Sequence, residues 1–205
     1  MTARELVLER VSRALANAAA PPTIPRGYVQ VGNSEAGVVD AFADRLRDYR
    51  GIVLRTDNAR DAIETALAGQ RARRIGIPPD LPTRLRPTNA ALVADRGLSP
   101  RDLDRLQGAL TTCSAACALT GTIALDGGAG QGRRALTLVP DLHVCVVRED
   151  QVVETVPELV RLLEPAARAG RPIVLVSGPS ATSDIELQRV EGVHGPRRLV
   201  VILER

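Results

Sequence analysis

The alternation of apolar and polar positions divides the chain into helices separated by short apolar runs. Thr2-Ala-Arg-Glu5 has the spacing of a capping box, and apolar residues follow it at helical intervals up to Pro21-Pro22. A second helix, capped by Ser34, is predicted to run to Tyr49. Further helices are predicted after Thr56 or Asp57, at Ser99-Pro100, over 156–169, and from the 177–184 segment onward.

Short apolar runs between these helices predict strands. The runs are 51–54, 74–77, 90–94, 110–113, 117–119, 122–125, 142–147, 171–176 and 198–203. The near-continuous runs 142–147 and 171–176 are typical of strands buried on both faces. Strands alternating with helices predict an α/β fold, with a Rossmann-like mixed sheet and helices on both of its faces.

The length and the position of the first helix suggest a simple domain organisation. A chain of 205 residues suits one domain with a small appendage. We expect residues 1–22 to form an N-terminal helix that is appended or docks on a partner, and residues 34–205 to form one α/β domain.

Composition narrows the function classes. The net charge is +3 and every basic residue is Arg, but clusters such as Arg71-Ala-Arg-Arg74 are short and interleaved with acidic residues. With one Phe, two Tyr and no Trp, the chain lacks a stacking platform for nucleic acid, so we expect no nucleic-acid partner. No apolar run reaches the roughly 18 residues of a membrane span. With no signal-peptide pattern at the N-terminus, a cytoplasmic location is expected.

The three cysteines, Cys113, Cys117 and Cys145, have neither disulfide-like spacing nor a completed metal signature. We expect them to be small buried apolar residues and predict no metal site and no cofactor held by this chain.

Hydroxyl groups are concentrated directly after the predicted strand 171–176. Ser177-Gly178-Pro179-Ser180 leads to Thr182, Ser183 and Asp184. A helix beginning there would offer free backbone N–H groups to an anion at a strand end. The alternative is ordinary helix capping by Ser180 or Thr182.

A second loop joins glycines to arginines. Thr120-Gly121-Thr122 is followed by Asp126-Gly127-Gly128 and then by Arg133-Arg134. Glycines permit close backbone approach, and adjacent guanidinium groups can bind a carboxylate or phosphate. We expect this loop to form the opposite side of one cleft for a small anionic ligand; the alternative is a flexible hairpin tip.

Two residues of a Gly/Pro loop are candidates for acid–base chemistry. Glu191 and His194 precede the last strand, and a loop His is reachable and titrates near neutrality. A surface role for His194 is the alternative. His143, inside an apolar strand, is interpreted as a hydrogen-bonded core or strand-end residue.

Five segments in order and spacing resemble the LUD-domain family, and within it the lactate-utilization C type. They are Leu119–Asp126, Gly130–Arg134, Leu138–His143, Ser177–Glu186 and Val190–Arg197. The resemblance implies a fold similar to the phosphosugar-isomerase (NagB/RpiA) and CoA-transferase-like group. It also implies a role in oxidising L-lactate to pyruvate alongside iron–sulfur partner subunits. Where family members often carry an acidic residue before Thr-Gly-Thr, this chain has Leu119.

Two functions therefore compete. In the first, the chain is a subunit of an L-lactate-oxidising complex that provides a carboxylate-binding cleft, with the iron–sulfur clusters in its partners. In the second, it is a stand-alone enzyme or binding protein for a phosphosugar, CoA thioester or nucleotide. Homo-oligomerisation is compatible with both.

Overall fold

The structure is a computed structural model that describes residues 2–16, 22–32, 37–179 and 194–205, together with the backbone of 181–183 and 189–191. Its helices are α1 Ala3–Leu15, α2 Val38–Asp48, α3 Ala59–Gly69, α4 Pro100–Asp104 and α5 Val156–Arg168. Its strands are β1 Ile52–Thr56, β2 Arg74–Ile77, β3 Ala91–Ala94, β4 Gly108–Thr112, β5 Ala115–Cys117, β6 Thr122–Leu125, β7 Leu142–Arg148, β8 Val152–Val153, β9 Val174–Val176, β10 Ala181–Ser183, β11 Arg189–Glu191 and β12 Arg198–Glu204. Short 3-10 helices cover Thr83–Leu85, Arg134–Thr137 and Glu149–Gln151.

Six strands form a wholly parallel sheet in the order β1-β12-β7-β4-β2-β3. The central strands β7 and β12 are buried along nearly their whole length, as their continuous apolar runs predict. The predicted α/β class is thus confirmed. The mixed pairing that the sequence predicted occurs instead in a second sheet of order β8-β5-β6-β9.

The two faces of the parallel sheet are covered differently. Helix α3 packs Ile63 and Leu67 on one face. On the other face, α2 contributes Phe42 and Leu46 to a core that it shares with the second sheet. Helix α5 then packs Leu159 on the outer side of the second sheet. Helices flank both faces as expected, but on one of them the second sheet lies between α5 and the parallel sheet.

Several predicted helix starts agree with the structure. Thr2 and Glu5 form the capping box of α1, and Ser99 caps α4, accepting a hydrogen bond from the amide of Asp102. Asn58, rather than Thr56 or Asp57, caps α3. The Thr56 hydroxyl instead accepts a hydrogen bond from the backbone amide of Asn58 at 2.9 Å.

The other two helices, α2 and α5, begin in different ways. Helix α2 begins after Gly37, and Ser34 lies outside the described residues. At the start of α5, the amide and hydroxyl of Thr155 both donate to Glu158 Oε2.

Two strands that follow from apolar runs, β1 and β9, lie at sheet edges, although the run of β9 was predicted to be buried on both faces. Among the described strands, β1 pairs with β12 alone and is partly exposed, and β9 pairs with β6 alone. Leu175 on β9 is 58% exposed. An edge strand lacks one neighbour, so an apolar run alone overestimates its burial.

The described helices contain none that is both long and apolar enough to cross a bilayer. The three cysteines are reduced and buried, which confirms their interpretation as small core residues.

Candidate functional site

Hydroxyl groups connect two of the three predicted loops. Thr122 lies at the start of β6, and its Oγ1 is 2.7 Å from Thr120 Oγ1 and 2.7 Å from Ser177 Oγ. Gly121 makes this turn possible, because its φ is +59° and a Cβ there would lie 2.7 Å from Arg45 Cβ on α2. The Thr120–Thr122 turn and Ser177 therefore form one hydrogen-bonded unit against α2.

Ser177 opens onto a cavity of about 220 Å3, which we call the Arg134 cavity. It is lined by Arg134, Thr137, His143, Val174, Leu175, Val176, Ser177, Gly178, Pro179, His194, Gly195, Pro196 and Leu199. His143 and Leu199 are the second residues of β7 and β12, so the cavity lies at the amino ends of the parallel strands.

The charge in this cavity comes from Arg134, the first residue of a 3-10 helix. Its guanidinium donates to the carbonyl oxygen of His194 at 3.0 Å and to the carbonyl and hydroxyl oxygens of Thr137, both at 3.3 Å. All of these acceptors are neutral, and within the described part of the chain no carboxylate forms an ion pair with Arg134. Burial lowers the pKa of Arg134, but a guanidinium remains charged in proteins. The cavity therefore holds a partly buried cation that an anion would stabilise.

His143 contributes a neutral imidazole. It is 2% exposed, and its Nε2 lies 2.8 Å from Thr111 Oγ1 on the neighbouring strand β4. Burial lowers the pKa of His143 to about 4, and the nearby charge of Arg134 contributes to that shift. The interpretation of His143 as a hydrogen-bonded core residue is confirmed. Near neutral pH, Arg134 is therefore charged beside a neutral His143.

The prediction that a helix begins within residues 177–184 is wrong for the part of this segment that the structure describes. Residues 181–183 form strand β10, which pairs antiparallel with β11. The preceding turn is set by Gly178, whose φ is +95° and where a Cβ would lie 2.6 Å from Tyr49 Cβ. Serine and threonine suit a strand or turn as well as a helix cap, so this sequence did not discriminate between them. Over these described residues, no helix N-terminus is available for an anion.

Several predicted site residues fall outside the described atoms. Ser180 and Asp184 lie outside the described residues, and for Thr182 and Glu191 only the strand backbone is described. His194 is described and exposed at the edge of the Arg134 cavity, where its carbonyl oxygen accepts from Arg134.

Of the predicted residues in the glycine-rich loop, Arg134 alone lines the Arg134 cavity. Arg133 makes a bidentate ion pair with the buried Asp95 at 2.8 and 2.9 Å and donates to the Leu98 carbonyl at 2.6 Å. Gly127 has a φ of +67° and lines neither that cavity nor the next one. Asp126 and Gly128 line a different cavity.

That second cavity has a volume of about 480 Å3 and lies at the carboxyl ends of the parallel strands. We call it the switch-point cavity. It is lined by Pro82, Arg84, Leu85, Thr112, Cys113, Ser114, Asp126, Gly128, Ala129, Gln131, Val146, Arg148, Gln151, Arg171 and Glu204. The single cleft expected from sequence is met only in part. Arg134, Ser177, Gly178 and His194 line the Arg134 cavity, whereas Asp126 and Gly128 line the switch-point cavity at the opposite end of the sheet. The predicted residues Thr120–Thr122, Gly127 and Arg133 line neither cavity.

Sequence reasoning missed the members of both cavities that are distant along the chain. Arg148 could have been found, because it directly follows the apolar run 142–147 at a strand's carboxyl end. No local pattern marks Arg84 or Arg171. His143, which the sequence predicts to be a core or strand-end residue, also lines the Arg134 cavity.

The departure at Leu119 does not affect the Arg134 cavity. Leu119 is 60% exposed and lines a separate surface depression with Arg45 of α2 and Glu154. A carboxylate at this position would extend from a different part of the surface.

Comparison with known proteins identifies the family that shares this architecture. The sequence profile of the LUD domain matches residues 88–203. A protein of Deinococcus radiodurans called lactate utilization protein C is 44% identical over 96% of this chain and 93% of its own length. A protein of the same name from Bacillus pumilus is 41% identical over 41% of this chain and 36% of its own.

A solved structure has the same fold. It is a crystal structure of a DUF162 family protein from Deinococcus radiodurans, 39% identical in sequence, which superposes with a TM-score of 0.73 over 85% of this chain and 100% of its own. With a family profile covering more than half of the chain and a relative matching nearly all of it, the chain belongs to the LUD domain family.

Proposed function

We propose that this protein acts in L-lactate utilization as a subunit of an L-lactate-oxidising complex, and that it binds a small carboxylate in the Arg134 cavity. The observation that carries the proposal is the partly buried guanidinium of Arg134, which only neutral oxygens contact among the described residues. The relatives from Deinococcus radiodurans and Bacillus pumilus, named lactate utilization protein C, support the metabolic assignment.

The size and polarity of the cavity favour a short acid over a larger ligand. A volume of about 220 Å3 accommodates a three-carbon hydroxy or keto acid, whereas nucleotides and CoA thioesters are much larger. The carboxylate would pair with Arg134, and the ligand's other oxygen would be within the reach of the Ser177 hydroxyl or the His143 imidazole. Because that imidazole is neutral, one carboxylate balances the charge of Arg134.

In this proposal the redox chemistry is shared with partner subunits. Oxidation of L-lactate to pyruvate releases two electrons and two protons, and iron–sulfur partners would accept the electrons. His194 and Glu191 remain our acid–base candidates. The support for His194 is that Arg134 holds its backbone carbonyl at the edge of the cavity.

The test is titration calorimetry with L-lactate and with pyruvate on wild type, Arg134→Gln and Arg168→Gln. Arg168 pairs with Glu164 on the exposed face of α5 and is a matched control. Loss of the charge-assisted contact is expected to weaken binding about tenfold or more in Arg134→Gln and leave Arg168→Gln unchanged. Equal affinities in wild type and a folded Arg134→Gln would refute the site.

The assignment to a complex has a separate test. A tagged copy isolated from lactate-grown cells is expected to bring down iron–sulfur proteins in stoichiometric amount. Recovery of the tagged chain by itself would contradict the subunit role while leaving the carboxylate site to be judged by calorimetry.

A further inference from the structure

The switch-point cavity occupies the position at which open α/β sheets bind ligands. From β2 the chain passes to β3 on one side, and β4 then pairs with β2 on the other side. The order of strands thus reverses between β2 and β4, which opens a crevice at their carboxyl ends. Residues 82–85 after β2 and 112–114 at the end of β4 both contribute to the lining of the cavity.

Three guanidinium groups reach this cavity from three separate elements. Arg84 belongs to the 3-10 helix after β2, Arg148 ends β7, and Arg171 precedes β9. Their side chains are 55%, 51% and 41% exposed. Each guanidinium has five N–H donors and uses only some of them within the protein, so donors remain for a ligand.

The carboxylates of the cavity lie beneath these arginines. Glu204 and Asp126 have side chains only 10% and 11% exposed. Glu204 is held by both terminal nitrogens of Arg84, and Asp126 accepts from Arg171 at 3.0 Å. Because these two carboxylates are largely covered and the three guanidiniums are exposed, guanidinium groups form the charged surface that a ligand in the cavity meets. The exposed carboxylate of Asp150 pairs with Arg148 but does not line the cavity.

The remaining polar wall is neutral. Gln131 is 4% exposed and bonds Ser114, Asp126 Oδ1 and the Asp126 amide. Cys113 is nearly buried, and both the neighbouring Cys145 and desolvation raise the pKa of its thiol, so it is protonated at neutral pH. Neither group offers a charge that would repel an anion.

We propose that the switch-point cavity binds a phosphate or diphosphate group carried on an organic molecule, as a second ligand besides the small carboxylate. Three converging guanidiniums match the several oxygens and multiple charge of a phosphoryl group. The volume of about 480 Å3, against about 220 Å3 for the Arg134 cavity, leaves room for the organic part. This site does not depend on the carboxylate proposal, because none of its residues lines the Arg134 cavity.

Arg148 gives the cleanest variant. Its partner Asp150 is 69% exposed, so Arg148→Gln leaves no buried carboxylate without a partner. Asp150→Asn breaks the same ion pair, at 2.9 and 3.1 Å, but keeps the guanidinium. Comparing the two separates loss of the cation from loss of the ion pair.

The experiment is titration calorimetry with inorganic phosphate, inorganic pyrophosphate and ADP on wild type, Arg148→Gln, Asp150→Asn and Arg134→Gln. Saturable binding of pyrophosphate or ADP is expected, weakened about tenfold in Arg148→Gln and by increasing salt. Asp150→Asn is expected to bind at least as tightly as wild type, and Arg134→Gln to be unchanged.

The three probes distinguish the source of the phosphoryl group. Tighter binding of ADP than of pyrophosphate supports a ligand with an organic part, whereas binding of inorganic phosphate or pyrophosphate alone overturns that part of the proposal. No saturable binding of any probe overturns the site, as does equal affinity in wild type and Arg148→Gln. Weaker binding in Asp150→Asn would show that the ion pair, and not the cation, matters, and would also overturn it.

Discussion

His143 shows how a parallel sheet controls the charge of one residue. The side chain lies between Ala109 of β4 and Leu199 of β12 in register, and Thr111 supplies its polar contact within the sheet. Protonation would place a second cation near Arg134 in a buried position, which desolvation disfavours. The imidazole is therefore neutral in the same pH range in which Arg134 is charged.

This burial predicts a contribution of His143 to the pH dependence of stability. The pKa is about 4 in the folded state and near 6.5 when unfolded, so the unfolded state binds the proton more tightly. The stabilisation is present above about pH 6.5 and is lost as the pH falls toward 4, by up to about 3 kcal/mol. Urea unfolding at several pH values between 4 and 7 should show a shallower loss in His143→Gln than in wild type. Parallel curves for the two proteins would contradict the depressed pKa.

At the scale of elements, the junction of β6 with α2 positions the hydroxyl cluster next to Ser177. Gly121 lies in the left-handed region at φ +59° and directly against the backbone of Arg45. A side chain at this position would push the Thr120–Thr122 turn away from α2. The glycine is therefore required both by its backbone angle and by the close approach of the helix.

The clash and the strain can be separated with a second glycine. Gly170 has a similar φ of +69°, but a Cβ added there would meet no atom within 4 Å. Both alanine variants should lose about 1–2 kcal/mol through left-handed strain. Gly121→Ala should lose about 1–3 kcal/mol more because of overpacking. Urea denaturation at neutral pH measures the difference, and equal losses would exclude the clash with α2.

At the scale of the whole molecule, α1 stands out because it has no buried residue. Its apolar side chains Val7 and Leu15 are 58% and 61% exposed. An exposed helix with apolar side chains suits docking on a partner. That residues 1–22 are an appendage, separate from the domain of 34–205, stays a prediction.

Deleting residues 2–16 tests whether α1 is an appendage separate from the domain. Because α1 contributes no buried side chain, the melting temperature is expected to change by less than about 2 °C, equivalent to less than about 1 kcal/mol. Differential scanning calorimetry of both chains measures this, and a fall of several degrees would show that α1 packs on the domain.

Growth of cells on L-lactate tests whether α1 docks on a partner subunit. If α1 docks on a partner subunit, the shortened chain should fail to complement a strain that lacks the gene, although it folds and binds carboxylate as wild type does. Full complementation would contradict the docking role.

The sequence alone determined the α/β class, most strands and the caps of α1 and α4, because hydrophobic period and capping chemistry act over a few neighbouring residues. It also identified Arg134 and Ser177 as candidate site residues, from the residue types that anions require. Ser and Thr after β9 were misread as a helix start, because their local preference serves strands and turns equally well.

Only the tertiary structure decided which of these residues meet. The register of β7, β4 and β12 brings His143 toward Arg134 at the amino ends of the strands, and the strand order brings Arg84, Arg148 and Arg171 together at the carboxyl ends. Contacts between residues far apart in the chain depend on register and crossover, which no local pattern encodes. For that reason the residues expected to share one cleft are divided between the Arg134 cavity and the switch-point cavity, and some of them line neither.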